Sequence, residues 1–131
     1  MAAVTKVNHS AQRARRTLGV CGGAHVVHDG FTDAVYVLLP IWAQAFGFSL
    51  TQVGLLKASL TVALAVFQIP AGFLSERIGA KTVLAAGTIL AGLGYIVAGT
   101  AGGFTGLLIA LLITGLGCAV QHPLGSALVS G

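Results

Sequence analysis

The sequence predicts an all-α integral membrane protein with four transmembrane helices. Three observations carry that prediction. Of the 131 residues, 56% are apolar and only 8% are charged, against roughly 25% charged in a soluble domain. The mean hydropathy is +0.93. The apolar residues form long runs without period-two alternation, which argues against strands. Each helical span needs about 20 apolar residues, so four spans are the most that this length can hold.

Residues 1–17 are polar and basic, with Lys6, Arg13, Arg15 and Arg16. This stretch is expected to be a cytoplasmic tail, disordered or lying on the membrane surface. Arg15-Arg16-Thr17-Leu18 faintly resembles a twin-arginine signal. His25, His28 and Asp29 interrupt the following run too early for a cleavable apolar core. The transmembrane domain then covers 18–131, with spans at about 18–46, 50–74, 82–100 and 104–130. Gly47-Phe48-Ser49 breaks the first run, and Ser49 is placed to cap the second helix. Ser75 to Lys81 is a charged turn, and Ala101-Gly102-Gly103 is a tight one.

The charges set an orientation. The tail and the 75–81 turn hold every cation except Lys57. The other two turns hold none, so the N-terminus is expected in the cytoplasm. A nucleic-acid partner is not expected, because the basic residues are not interleaved with aromatics on one surface. Cys21 and Cys118 lie in or beside apolar runs and read as small packing residues. The 19 glycines suit close helix contacts in lipid. Gly87, Ala91, Gly94 and Ala98 make one small-residue stripe, and Gly106 and Ala110 begin another.

The first span carries the chemistry. On a helical wheel, His25, His28, Asp29, Thr32, Asp33, Tyr36 and Pro40 share one face. Val26, Val27, Phe31, Ala34, Val37, Leu38, Ile41 and Trp42 share the other. A carboxylate in the bilayer centre costs roughly 2.5 to 3.5 kcal/mol on insertion scales, so the acids need water, a cation or a proton. Lys57, Thr61 and Gln68 form a matching stripe on the second span. Thr114, Cys118, Gln121 and Gly125 form one on the fourth, with His122 at its edge. A Lys57–Asp33 ion pair is expected. Two roles for the acids stay open: a structural ion pair between spans, or binding of protons or substrate.

His25-x-x-His28-Asp29 has metal-ligand spacing but no companion cluster. A titrating His25–Asp29 pair is preferred, since histidine exchanges protons near neutral pH. No metal and no cofactor are expected. No serine or cysteine has a histidine and an acid arranged around it, so an enzyme is not expected.

Gly72-Phe73-Leu74-Ser75-Glu76-Arg77-Ile78-Gly79-Ala80-Lys81 makes a tight helical hairpin. Gly72 would permit close helix contact there, and Gly79 would allow the reversal. The stretch resembles the signature between spans two and three of the major facilitator superfamily, with Ala80 where a basic residue is usual. Ala24-His25-Val26-Val27-His28-Asp29-Gly30-Phe31 with Leu39-Pro40 resembles the first span of the fosmidomycin-resistance family. Gln68-Ile69-Pro70 and the Gly115-to-Ala127 segment, with His122-Pro123, resemble further segments of that family.

The resemblance implies a twelve-helix secondary transporter in two six-helix halves, rocking around a midplane site. It implies proton-coupled export of a small, often anionic compound from a bacterial inner membrane. Asp29 and His25 would carry the proton step. Gln68, Gln121 and His122 would line the cavity. Glu76, Arg77 and Lys81 would form gate contacts. His28 and Asp33 rest on the wheel alone. On this reading the chain is an N-terminal fragment that works with the remaining spans. The alternatives are a complete four-span exporter resembling the small multidrug-resistance type, working as a dimer, and a non-transporting membrane subunit.

Overall fold

The computed structural model describes residues 2–121 and 124, with the side chains of 12, 14–121 and 124. The described residues form four helices: α1 (Ala2–Phe46), α2 (Leu50–Ile78), α3 (Ala80–Thr100) and α4 (Phe104–Cys118). No strand occurs among them. The architecture is that of an all-α membrane protein. α2 and α3 are long and apolar enough to cross a bilayer, and α4 is a shorter apolar helix.

Two boundaries differ from the sequence expectation. The basic stretch is helical from Ala2 and continuous with the first span. Nothing between Ala2 and Leu18 stops a helix: there is no Gly or Pro, and Ala and Arg are strong helix formers. The charged hairpin is also shorter than 75–81. α2 runs on to Ile78 and α3 starts at Ala80, so Gly79 alone makes the reversal. Its φ is +92°, a region that only glycine enters cheaply. Its N–H donates to Ser75 O at 2.9 Å, which closes the last turn of α2. The fourth helix ends at Cys118 with a turn at 119–120; most of the expected span beyond it lies outside the described residues.

The other turns follow from local chemistry. Gly47 takes φ +65° after α1. Ser49 then caps α2 in a reciprocal box: Gln52 N donates to Ser49 Oγ at 3.3 Å, and Ser49 N donates to Gln52 Oε1 at 3.0 Å. Two backbone N–H groups that the helix start orphans are thereby satisfied.

The tightest packing joins α3 to α4. Gly87, Ala91, Gly94 and Ala98 are all buried on α3. A Cβ on Gly94 would lie 2.8 Å from Thr114 N and 3.0 Å from Ala110 O. A Cβ on Gly117 would lie 2.6 Å from Gly87 O. Only bare backbone lets these helices approach so closely. Gly72 is different: a Cβ there would meet nothing within 4 Å. Gly72 therefore does not mark a helix contact; the contact at that level of α2 is made by its buried neighbour Ala71.

α4 forms the centre. Leu107, Ala110 and Leu111 pack with Leu56 and Leu60 of α2, Val35 and Leu39 of α1 and Ala98 of α3. A second cluster joins Ala71, Val83, Leu84, Val120 and Leu124 near the hairpin. Outward, Val26, Val37, Leu50, Val62, Ile69 and Ile96 are exposed. So much apolar surface suits lipid or further helices.

Candidate functional site

α1 packs by a narrow stripe: Cys21, His28, Val35 and Leu39 are buried. Cys21, His28 and Val35 follow a seven-residue step and Leu39 lies one turn further on, so the stripe runs along the border between the polar and apolar faces of the wheel. Asp29, Asp33 and Tyr36 lie beside it and stay exposed. The face that packs is thus distinct from the face that carries the acids.

The acid face begins with a linked triplet. His25 Nε2 lies 3.2 Å from Asp29 Oδ2, one helical turn away on α1. On the other side of the ring, His25 Nδ1 lies 3.3 Å from Gln121 Nε2. With neutral imidazole the roles are fixed. Gln121 Nε2–H donates to Nδ1, so the proton sits on Nε2 and is donated to Asp29. His25 and Asp29 side chains are about half exposed, at 52% and 54%, whereas Gln121 is 4% exposed. The triplet therefore joins a buried amide to an exposed carboxylate through an imidazole. Gln121 Oε1 is buried with no hydrogen-bond partner among the described residues. A flip of that amide would turn the oxygen toward Nδ1, which is what a doubly protonated ring requires. Cys118, buried on α4, lies beside Thr32 near the same triplet.

A second polar seam fixes α1 to α3. Thr88 Oγ1 donates to Leu84 O at 2.9 Å. It therefore accepts from His28 Nε2 at 2.8 Å. Tyr95 Oη donates to Phe31 O, and the two rings stack with centroids 5.6 Å apart. His28 is 2% exposed, and a buried polar side chain needs such bonds. Its environment is that of a structural clasp. Sequence reasoning missed Thr88 and Tyr95. A usable signal existed: each follows a stripe glycine, Gly87 or Gly94, and they lie seven apart on one face.

The expected Lys57–Asp33 ion pair does not form. Among the described residues, the ion pair within 4.0 Å is His25–Asp29. The Lys57 ammonium instead sits 4.1 Å from the Tyr36 ring centroid. Geometry explains the choice. Tyr36 stands about 4.5 Å farther along α1 than Asp33, toward the level of Lys57. The aromatic face meets the cation before the carboxylate can.

The remaining candidates are more dispersed. Gln68 is half-buried on α2, and no hydrogen bond joins it to the triplet among the described residues. Glu76, Arg77 and Lys81 are exposed around the hairpin and make no ion pair among the described residues. His122 and Pro123 lie outside the described residues, as does Gly125.

The chain matches the sequence profile of the Major Facilitator Superfamily over residues 22–131. It is similar to the fosmidomycin resistance protein of Escherichia coli (strain K12), with 23% identity over 117 residues, covering 87% of this chain and 29% of that protein. It is similar to the MFS-type transporter YfnC of Bacillus subtilis (strain 168), with 26% identity, covering 83% of this chain and 26% of that one. An MFS-type transporter of Methanocaldococcus jannaschii is 29% identical, with 71% of this chain and 24% of that protein covered. The chain thus spans between about a quarter and three-tenths of the length of these curated relatives. No solved structure matches it. The chain belongs to the major facilitator superfamily.

Proposed function

We propose that this major facilitator chain is the proton-handling part of a secondary active transporter. The transporter exports a small anionic compound by alternating access, in exchange for protons. The observation that carries the proposal is the Asp29–His25–Gln121 triplet, an exposed carboxylate and imidazole backed by a buried amide. Charged groups within a span are expensive, and those facing a cavity serve ion pathways. Asp29 takes the proton, and His25 relays it and senses its presence. The Gln121 amide follows the state of the ring by turning its free oxygen or its NH2 toward Nδ1.

Asp29, Asp33 and Tyr36 stay exposed beside the packed stripe, and they are proposed to face a cavity that further spans complete. Gln68, His122 and Lys57 are the other groups proposed for that pathway. Glu76, Arg77 and Lys81 are proposed as cytoplasmic gate contacts, which puts the N-terminus on the cytoplasmic side of a bacterial inner membrane.

The name of the Escherichia coli relative supplies a probe. Cells expressing the full reading frame that contains this chain should accumulate less labelled fosmidomycin than cells without it. Collapsing the proton gradient with a protonophore should abolish the difference. Equal accumulation in both cell types would remove the drug from the proposal. A difference that survives the protonophore would remove proton coupling.

A further inference from the structure

We infer a binding site for one anionic phospholipid in the groove between the basic ends of α1 and α3. The groove has a volume of about 1030 Å³. Arg16, Thr17 and Lys81 stand at one end of it. Val20, Ala85 and Ile89 wall the rest. The two helices run side by side in the same direction, as the His28–Thr88 and Phe31–Tyr95 contacts require. Both walls therefore rise from a cation into apolar surface. From Arg16 to Ala24, and from Lys81 to Ile89, each wall extends about 12 Å.

Charge complementarity selects the occupant. Arg16 and Lys81 make no ion pair among the described residues, and no carboxylate is among the groove's lining residues. Lys81 is the second residue of α3, whose start has no side-chain cap. The uncapped N–H groups add positive potential at the same end. A zwitterionic lipid would bring its own ammonium beside its phosphate and add no net negative charge between the two cations, and a free phosphate would leave the apolar walls bare. A phosphodiester headgroup between Arg16, Thr17 and Lys81, with an acyl chain along Val20, Ala85 and Ile89, satisfies both. The site shares Lys81 with the proposed gate contacts, but Arg16 and the apolar walls lie outside the triplet, and its test reads lipid retention rather than transport.

Native mass spectrometry of the protein expressed from the full reading frame tests it, after release from nanodiscs of equal phosphatidylglycerol and phosphatidylcholine. The wild-type chain should retain one phosphatidylglycerol in preference to phosphatidylcholine. Arg16→Gln with Lys81→Gln should lower that retention by about thirtyfold, given what two basic groups contribute at an anionic surface. Ala85→Trp, which fills the apolar wall but keeps both cations, should lower it as well. Arg77→Gln, a cation at the same membrane face outside the groove, should not. Circular dichroism confirms that each variant stays helical. Wild-type retention in the double variant would overturn the site. So would an equal loss in Arg77→Gln, which would mean general surface attraction, or no loss in Ala85→Trp, which would mean a headgroup contact without a groove.

Discussion

The side-chain amide of Gln121 meets the imidazole of His25 at 3.3 Å across 96 residues of sequence. Through that ring it reaches Asp29, 3.2 Å beyond. A buried group just beyond the end of α4 is thereby tied to an exposed acid on α1. On the proposed function, this link would carry the protonation state of Asp29 to the segment that follows α4 within the same half.

Gln121→Leu separates the link from the fold. The substitution removes both the bond to His25 and a buried oxygen that has no partner among the described residues. Losing the bond costs about 1 kcal/mol, and losing the orphan returns a similar amount. Thermal stability in detergent should therefore stay within about 1 kcal/mol of wild type, while proton-coupled transport falls. Lost stability with intact transport would assign Gln121 a structural role.

Gly94→Ala should destabilise the bundle, and Gly99→Ala should not. A Cβ on Gly94 would lie 2.8 Å from Thr114 N, while one on Gly99 meets nothing within 4 Å. Overpacking of this kind costs about 1 to 3 kcal/mol. Unfolding midpoints in detergent compare the two directly.

Tyr36→Leu should expose Lys57 to amine-reactive reagents more than Tyr36→Phe does. Phenylalanine keeps an aromatic face under the ammonium, which lies 4.1 Å from the Tyr36 centroid. Asp33→Asn should leave that reactivity unchanged. A rise in Asp33→Asn would restore the ion pair that the geometry rejects.

His28 and Thr88 should couple energetically. A double-mutant cycle of His28→Leu and Thr88→Val should give an interaction of about 1 kcal/mol, as for residues sharing one buried bond. The bond in question is 2.8 Å long. A cycle that closes additively would mean that the clasp adds nothing to stability.

Much of this was legible in the sequence, for identifiable reasons. Apolar runs mark helices because lipid demands internal backbone bonding. Gly79 marked the reversal and Ser49 the start of α2, since both are local requirements of the chain. The Gly87-to-Ala98 stripe was visible as spacing. What the wheel could not supply was the partner of each face. It sorted α1 by polarity, yet α1 packs along the border, where His28 is buried and Asp29 is not. The fate of Lys57 depended on the relative height of two helices, which no single helix encodes. Thr88 and Tyr95 acquired meaning only once α3 lay beside α1.

The central claim is that Asp29 carries the transported proton. The most direct measurement compares two modes of movement of the proposed substrate, fosmidomycin, in proteoliposomes holding the full reading frame with Asp29→Asn. Exchange of labelled for unlabelled drug should continue, because binding and rocking remain. Drug movement driven by a pH gradient should be lost. An Asp29→Asn protein that still moves the drug down a pH gradient at the wild-type rate would contradict it.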